Sequence, residues 1–538
     1  MKHTLTYLNA QLLGAAEYIY RTRNDTRATA LPAFCGRGFQ PREPKHAPAG
    51  LPSSNTNLIA RLTFYLRRQA GRRSLPVQIV LGLLLCVCVT LAGPEGKRGQ
   101  DKGGGSKQPI MNSPCNDVPA HPFDIILGRV TRDSITISLL AYQDTEGCIA
   151  YGTQHDNYTQ QTPRRLFKKD EPAETVLAAL RPDTQHFFQF RGGGTNSAEQ
   201  SFRTQRPPGS AFTFTITADP HLDEHTSPAT YQQTLANARA AAPDFHLDLG
   251  DTFMTEKQAN REAAYKQYLA QRFYFGQLCN SAPLFFVLGN HDGEAPRGRG
   301  DESDDLAVWS CLTRKKFFPN PVPDNFFTGN ATKHPDAGLL QDYYAWTWGD
   351  AQFIVLDPFW YTQKQRGQKD NWKRTLGAEQ YQWLMRTLEN SRAKFKFVFI
   401  HHLVGGLDNQ CRGGSEAAPF FEWGGQNLDG TEGFKEHRPD WPLPIHQLLL
   451  RNHVTAVFHG HDHLFAKQEL DGIVYQECPQ PGDPKGSTRS AAEYGYKSGV
   501  LLASSGHLRV AVAPQQTTVT YVRADGSVAH TYTLPARP

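Results

Sequence analysis

The sequence predicts an α/β domain preceded by a small all-β sandwich, and three observations support this prediction. At 538 residues the chain is too long for one hydrophobic core, which indicates two domains with additional segments. Between residues 118 and 206, short alternating segments are separated by turns, as in a β-sandwich. Between residues 211 and 510, apolar strands alternate with helical patterns, which predicts a sheet covered by helices on both sides.

Composition narrows the class of protein. A hydrophobic content of 39% and a charged content of 20% are typical of a globular protein. The net charge of +5 is small for this length, and much of the basic excess lies in the first hundred residues, so there is no nucleic-acid-binding signal. No cysteine pair has the CxxC spacing of a structural zinc site. Six downstream cysteines would form three disulfides in an exported protein or stay as buried thiols: Cys115, Cys148, Cys279, Cys311, Cys411 and Cys478.

The first part of the chain predicts export. Residues 1–65 show no sustained period and are interpreted as a disordered leader or as the result of a start assigned too far upstream. Residues 66–93 have a basic region, an apolar run from Val77 to Ala92 and a small-residue cleavage site, which predicts a signal peptide. A membrane anchor is the alternative, but the run is shorter than the roughly 20 residues that span a bilayer. We therefore expect a secreted, periplasmic or cell-envelope protein with no stable membrane span after cleavage, and a flexible linker over 94–117.

The sandwich is predicted over 118–206. Its strands are expected at 134–139, 148–152, 175–180, 186–191 and 201–204. It contains no convergent catalytic set, so a packing or binding module is expected. The sequence Pro207-Pro208-Gly209 marks the boundary.

The α/β domain is predicted over 207–510, followed by C-terminal strands over 511–538. Helices are expected at 228–242, 255–278 and 377–393. Residues 293–342 are rich in Gly, Pro and charge and are expected to decorate the rim of a site.

Five apolar strands in this domain each end in side chains that bind metals or transfer protons. The strand at 212–218 leads to Asp219 and His221, that at 244–249 to Asp251, that at 284–288 to Asn290, His291 and Asp292, that at 395–400 to His401 and His402, and that at 454–459 to His461 and His463. In an α/β sheet such residues meet at the carboxyl edge of the strands. This convergence predicts the functional site.

Seven of these side chains are candidate metal ligands: Asp219, His221, Asp251, Asn290, His401, His461 and His463. Mixed nitrogen and oxygen ligands suit zinc, iron or manganese and argue against calcium. Seven ligands are too many for one ion but suit two ions that share a bridging carboxylate, for which Asp251 is the candidate. Two divalent ions, two aspartates and a hydroxide leave about one positive charge, so the site should attract an anion.

Such a pair of ions is typical of in-line displacement at phosphorus, with a metal-bound hydroxide as the nucleophile. His291 is assigned to transition-state stabilisation or to protonation of the leaving oxygen, with Asp292 holding its ring. His402 is the alternative for that role. His225 and His246 are interpreted as surface or packing residues.

The motifs Asp-x-His, Gly-Asp, Gly-Asn-His-Asp, a strand-terminal His and Gly-His-Asp-His, in this order, resemble the calcineurin-like metallophosphoesterase superfamily over about 211–510. The resemblance implies a β-sandwich flanked by helices in four layers and a dinuclear centre of divalent or mixed-valence Fe, Zn or Mn. By matching positions, one metal would take Asp219, His221, Asp251 and His463, and the other Asp251, Asn290, His401 and His461.

The small sandwich is similar to the fibronectin type III-like domain that precedes purple acid phosphatase catalytic domains. Those enzymes have Gly at the position of His221 and a tyrosine ligand at the position of Met254. The chain is therefore interpreted as a relative of the purple acid phosphatases that lacks their tyrosine ligand.

These observations predict a secreted, metal-dependent phosphoester hydrolase that acts on small phosphorylated molecules, with phosphomonoesters as the expected substrates. The alternative substrates are phosphodiesters or nucleotide pyrophosphates and nucleotides. A non-catalytic surface binding protein is the more distant alternative, against which the complete ligand set argues. Substrate size would be set by the rim, where 359–361 and 405–427 could bind a base or simply pack, and where Lys315 and Lys316 could meet a polyanion or remain solvated.

Overall fold

The computed structural model describes residues 114–295, 305–365 and 369–537. The predicted leader and signal peptide lie outside the described residues, as does the linker apart from residues 114–117, where Pro114–Asn116 form a 3-10 helix. Within the described ranges, no helix combines the length and the apolar character needed to cross a membrane. The six cysteines at 115 and beyond are all buried, and none of them forms a disulfide.

The all-β region that the sequence predicts is present. Its strands are β1 (Phe123–Gly128), β2 (Ile135–Ala141), β3 (Thr145–Gly152), β4 (Gln160–Gln161), β5 (Arg165–Phe167), β6 (Ala173–Leu177), β7 (Gln185–Gly192), β8 (Thr195–Asn196) and β9 (Gln200–Arg203). One sheet has the order β1-β2-β6, and the other has the order β4-β3-β7-β8 with β5 on β3 and β9 on β7. The two sheets face each other, since the Phe123 and Phe190 rings meet edge to face at 5.2 Å.

The larger domain follows from residue 212. Its strands are β10 (Phe212–Thr217), β11 (Phe245–Asp248), β12 (Leu284–Phe286), β13 (Thr328–Gly329), β14 (Lys333–His334), β15 (Gly338–Leu339), β16 (Tyr344–Trp348), β17 (Ala351–Val355), β18 (Phe395–Phe399), β19 (Ala456–His459), β20 (Leu464–Leu470), β21 (Ile473–Glu477), β22 (Val500–Ala503), β23 (Gly506–Val512), β24 (Gln516–Arg523) and β25 (Val528–Pro535). Its α-helices are α1 (Pro228–Ala240), α2 (Arg261–Cys279), α3 (Leu306–Phe317), α4 (Ala378–Glu389), α5 (Phe421–Gly424), α6 (Phe434–His437) and α7 (Ile445–Arg451), with 3-10 turns at Thr255–Lys257 and Asn371–Lys373.

The domain is built on two mixed sheets packed face to face. One has the order β12-β11-β10-β23-β24-β25 and the other β13-β16-β17-β18-β19-β21-β20-β22. Aromatic side chains fill the space between them: Phe214 meets Phe353 at 5.1 Å, and Phe285 stacks on Trp346 at 4.2 Å. These rings belong to one continuous apolar core.

Helices cover the outer face of each sheet. Leu235 of α1 and Leu278 of α2 share an apolar cluster with Phe286 of β12. On the other side, Leu384 of α4 shares a cluster with Val398 of β18, whose neighbours Phe397 and Phe399 face the inner core. The order helix–sheet–sheet–helix confirms the predicted four-layer fold.

Two parts of the domain differ from the prediction. The segment 293–342, predicted as a long Gly-, Pro- and charge-rich connection at the rim of the site, contains helix α3, which begins after Asp305 and buries Ala307, Cys311 and Arg314 at helical spacing. The boundary predicted at residue 510 falls inside β23 (Gly506–Val512), which pairs with β10. The C-terminal strands β24 and β25 therefore extend the sheet that carries the first candidate ligands.

The side chain of Arg272 connects the two domains. It lies on α2, is fully buried, and donates hydrogen bonds to the Ser138 hydroxyl (3.0 Å) and to the backbone carbonyls of Asp124 (3.1 Å), Ser138 (2.9 Å) and Phe317 (2.7 Å). Burial lowers its pKa to about 10. A buried guanidinium with this many acceptors fixes the sandwich sheet against α2.

Candidate metal centre

The strand ends that the sequence singled out lie together because the strands run parallel. β10, β11 and β12 are parallel neighbours in one sheet, and β18 and β19 are parallel neighbours in the other. Their carboxyl ends therefore point the same way, and the loops after them meet at one edge of the two-sheet core. All seven candidate ligands are in these loops.

Glycines allow two of these loops to touch. A Cβ on Gly289 would lie 1.9 Å from the backbone nitrogen of Asp251, and a Cβ on Gly250 would lie 2.4 Å from the nitrogen of Gly289. Gly250 also has φ +93°, which side chains disfavour. The glycine in each motif is thus required by the close approach of the two backbones.

The first group of ligand atoms surrounds Oδ1 of Asp219, which is fully buried. This oxygen lies 3.7 Å from Nε2 of His221 and 3.5 Å from Nε2 of His463. The other oxygen of Asp219 accepts a hydrogen bond from the His461 backbone N–H at 2.8 Å. One carboxylate oxygen is therefore held by the protein while the other faces the imidazoles.

The second group consists of Asp251, His401 and His461, with Asn290 beside it. Nε2 of His401 lies 3.2 Å from Nδ1 of His461, 3.4 Å from Oδ2 of Asp251 and 3.1 Å from Oδ1 of Asn290. Four ligand atoms thus surround one small space.

Asp251 lies between the two groups. Its Oδ2 is 3.5 Å from His221 in the first group and 3.4 Å from His401 in the second. Its Oδ1 accepts a hydrogen bond from the His291 backbone N–H at 2.6 Å. This is the position that a bridging carboxylate needs.

The hydrogen bonds of the histidines show that these groups fit cations. Nδ1 of His401 donates to the Leu249 carbonyl at 2.8 Å, and Nε2 of His461 donates to the Gln410 carbonyl at 2.8 Å. In neutral rings, the two nitrogens that face each other therefore both carry lone pairs. In the described part of the chain, Oδ1 of Asp219 and Nε2 of His221 are likewise buried without a hydrogen-bond partner. Lone pairs facing lone pairs in a buried space are satisfied by metal ions.

Electrostatics favour positive charge in the same place. Burial would raise the pKa of Asp251, but His401 and His291 outweigh it and hold the pKa well below its usual value. Burial would lower the pKa of His401, but Asp251 and Asp219 raise it to about 9, so this ring takes up a proton at neutral pH unless a bound cation supplies the positive charge and leaves the ring neutral. The two carboxylates therefore stay ionised and attract a cation.

The backbone at the ligands is strained. Asp219 has φ +56° and Asp251 has φ +54°, and His461 and His463 have φ +84° and +59°. Non-glycine residues in this region cost on the order of 1 kcal/mol or more each, and such residues concentrate at functional sites.

The surroundings of His291 correct one prediction. Its Nδ1 is paired with Oε1 of Glu256, and its Nε2 lies 3.8 Å from Oδ2 of Asp251. Asp292, predicted to hold this ring, instead accepts hydrogen bonds from the backbone N–H groups of Thr252 (2.7 Å), Phe253 (2.9 Å) and Gly289 (2.7 Å). Asp292 therefore joins the two ligand loops, and Glu256, which the sequence reasoning missed, orients the ring.

His402 is buried beside the second group. Its ring lies 5.2 Å from that of His461 and 5.1 Å from that of Phe359, and its Nδ1 is 3.1 Å from the Leu403 carbonyl. Burial and the neighbouring His401 lower its pKa well below the usual value. Burial also lowers the pKa of His291, against the opposing effect of Asp251 and Glu256, so the pKa does not separate the two candidates and their exposure must do so.

Several rim candidates have structural contacts. Trp360 is buried and donates from its indole to Glu294 at 2.8 Å. Lys315 donates to the Leu339 carbonyl at 2.8 Å, and Lys316 to the Tyr265 hydroxyl at 3.0 Å. The two histidines interpreted as surface or packing residues have such positions: His225 is exposed, and His246 is buried with hydrogen bonds to two threonines.

Comparison with known proteins agrees with this geometry. The sequence model of the calcineurin-like phosphoesterase family matches residues 212–465. Among solved structures, PhoD aligns with 15% identity and a TM-score of 0.55, covering 78% of this chain and 90% of PhoD. The purple acid phosphatase PPD1 from yellow lupin (Lupinus luteus) seeds aligns with 15% identity and a TM-score of 0.52, covering 77% of this chain and 74% of that enzyme.

At these identities the structural likenesses show the fold alone. No curated protein gives a significant sequence match. The family match and the complete motif set together decide the assignment: the α/β domain belongs to the calcineurin-like phosphoesterase family, and the chain is a metal-dependent phosphoester hydrolase.

Proposed function

We propose that this protein is an exported phosphomonoesterase that works with two metal ions held by the two ligand groups. The position of Asp251 carries the proposal, because one of its oxygens lies within 3.5 Å of an imidazole nitrogen from each group. Asp219, His221 and His463 would complete one metal site, and Asn290, His401 and His461 the other.

When bound, the two ions would polarise the phosphoryl oxygens and lower the pKa of a water molecule towards ~7. The chain contributes the orientation of the reacting groups. Leu249 and Gln410 accept hydrogen bonds from His401 and His461 and so direct the other ring nitrogen of each histidine into the site. Asp292 ties the loop after β12 to the loop after β11, which keeps Asn290 and Asp251 in register.

His291 is the candidate proton donor to the leaving oxygen. Glu256 fixes its Nδ1, so that Nε2 faces Asp251 at the edge of the site. The side chain of His291 is 16% exposed, which leaves it open to a substrate, whereas His402 is 3% exposed. We therefore assign proton donation to His291 and a supporting role to His402.

The test is paired kinetics on p-nitrophenyl phosphate and bis(p-nitrophenyl) phosphate after reconstitution with Mn²⁺, Zn²⁺ or Fe²⁺. We expect turnover of the monoester that falls by at least about 100-fold in Asp251→Asn, because the shared ligand of both metals is lost. Asp117→Asn, at an exposed site in the same chain, is the matched control and should behave as the wild type. A preference for the bis-ester would replace the monoesterase proposal with the diesterase alternative. Two bound metals without turnover of either ester would contradict the phosphomonoesterase proposal.

Export is proposed from the signal-peptide pattern in residues 66–93. The expected mature protein begins just after Ala92, which N-terminal sequencing of the native protein would show. A mature protein that retains residues 77–92 would favour the membrane-anchor alternative.

A further inference from the structure

We propose that Asn371 is a positioning residue, which fixes the metal-binding nitrogen of His461 through the loop formed by residues 405–412. This inference rests on the proposed metal centre and adds a residue from outside the family motifs. Asn371 lies in the short 3-10 helix Asn371–Lys373, in the connection between strands β17 and β18. None of its atoms needs to contact metal.

The loop decides which nitrogen of His461 enters the site. The backbone carbonyl of Gln410 accepts a hydrogen bond from Nε2 of His461 at 2.8 Å. Because a carbonyl can only accept, the hydrogen of the neutral ring must be on Nε2. Nδ1, 3.2 Å from Nε2 of His401, is then free to bind a cation.

Asn371 holds this loop by its backbone. Its side-chain amide donates to the Gly405 carbonyl at 2.7 Å and to the Asp408 carbonyl at 2.9 Å, and the residue is only 7% exposed. These two carbonyls lie on either side of the point where the loop closes, since Leu407 N–H donates to the Arg412 carbonyl at 2.9 Å. One side chain thus fixes both ends of the short segment that precedes Gln410.

The loop itself is tightly built around Asp408. The Asp408 carboxylate accepts hydrogen bonds from the backbone N–H groups of Gln410 (2.8 Å) and Arg412 (3.1 Å). The loop backbone also approaches itself closely, because a Cβ on Gly406 would lie 2.2 Å from Cα of Cys411. A displacement at Asp408 would therefore be transmitted to the Gln410 carbonyl.

The residues on either side of Asn371 are held in place by hydrogen bonds. The Asp370 carboxylate accepts from the Trp372 backbone N–H at 3.0 Å, and the Trp372 indole donates to Asn427 at 2.7 Å. Arg374 adds a further contact to the same loop, from its guanidinium to the Asn409 carbonyl at 2.7 Å. Among the described residues, the hydrogen bonds of the 405–412 loop reach the side chain of His461 in the second group and no side chain of the first group.

This asymmetry provides the test. Asn371→Asp keeps the size of the side chain but removes the N–H donors and places a carboxylate against two carbonyl oxygens. We expect the variant to bind the first metal as the wild type does and the second on the order of 10-fold more weakly or worse. The measurement is calorimetric titration of the metal-depleted full chain with Zn²⁺, with metal content determined after gel filtration. His461→Ala, which lacks the ligand itself, gives the reference for a lost second site.

Asn452→Asp is the matched control. The Asn452 side chain also donates to a backbone carbonyl, that of Leu448 at 2.9 Å, but it does not contact the 405–412 loop. The control should bind two zinc ions with wild-type affinity even if its melting temperature falls. If Asn371 were only a stabilising residue, Asn371→Asp would melt earlier but still bind two ions normally, and this result would overturn the inference alone. A wild-type chain that binds no zinc would overturn the proposed function and this inference with it.

Discussion

Replacing Glu256 by Gln should slow the protonation of the leaving group without removing a metal ligand. Glu256 contacts Nδ1 of His291, while Nε2 of the same ring faces Asp251. With the carboxylate present, Nδ1 carries the hydrogen and the imidazolium is stabilised at the moment of proton transfer. A glutamine keeps the shape but loses the charge, and its amide can also turn a donor towards the ring.

The magnitude follows from the burial of the pair. The His291 and Glu256 side chains are only 16% and 8% exposed, so solvent screens the contact weakly. A hydrogen bond to a charged group contributes about 1.5–3 kcal/mol and a neutral one about 0.5–1.5 kcal/mol, so the change removes about 1–1.5 kcal/mol. This corresponds to a decrease in kcat of about 5- to 10-fold where proton transfer limits the rate.

The assay compares two monoesters that differ only in the leaving group. Phenyl phosphate has a poor leaving group that needs protonation, whereas p-nitrophenyl phosphate has a good one that hardly does. We expect Glu256→Gln to lose about 5- to 10-fold in kcat on phenyl phosphate and little on the nitrophenyl ester. Glu262→Gln, the same change at an exposed position at the start of α2, is the control. Equal losses on both esters would refute the role given to the Glu256–His291 pair.

Three further results are expected. Arg272→Ala should lower the free energy of unfolding in urea by about 3–5 kcal/mol, because three buried carbonyls and the Ser138 hydroxyl lose their donor; a loss under about 1 kcal/mol would show that the domains do not depend on it. His507 is buried, and its pKa is lowered to about 3, chiefly by burial and to a lesser extent by the charge of Arg509. The ring therefore stays neutral in the folded protein, whereas in the unfolded chain it takes up a proton below about pH 6.5. The neutral His507 ring therefore costs the folded protein no stability above pH 6.5, but the free energy of unfolding decreases as the pH falls below that value. Replacing His507 by Phe removes this effect, so His507→Phe should reduce the loss of unfolding free energy between pH 7 and pH 5 by about 2 kcal/mol. An unchanged loss would contradict the assignment. Chelation should lower the melting temperature, since ions bound at 1,000 times their dissociation constant stabilise by about 4 kcal/mol per site, and a melting curve indifferent to chelator would argue against the buried metal sites.

The sequence could predict the sheet edge and its candidate ligands because each motif follows an apolar strand directly. The loops after β10 and β19 lie at this edge, since a buried parallel strand fixes where its next residues emerge. Asp292 shows where the same reasoning fails. Its position next to His291 suggested a contact with the ring, but the positive φ values and the touching glycines of the two loops turn its carboxylate towards backbone N–H groups.

Glu256 and Gln410 could not be found in the same way. Glu256 is 35 residues from His291 in sequence, so their contact depends on how the 3-10 turn Thr255–Lys257 packs beside the site. Gln410 acts through a backbone carbonyl, which leaves no signature in residue type. Helix α3, by contrast, did carry a signal in the spacing of Ala307, Cys311 and Arg314, which the surrounding glycines and prolines obscured.

The contact between the sandwich and the larger domain limits where the chain can be cut without exposing apolar surface. Ile126 and Leu140 of the sandwich share an apolar cluster with Tyr268 and Leu278 of α2, beside the buried Arg272. The helix that covers the ligand-bearing sheet thus has its own outer side covered by the sandwich. Cutting the chain at Pro207 would expose that apolar side of the helix to water. We therefore expect that the larger domain does not fold stably on its own and that the sandwich is part of its structural core.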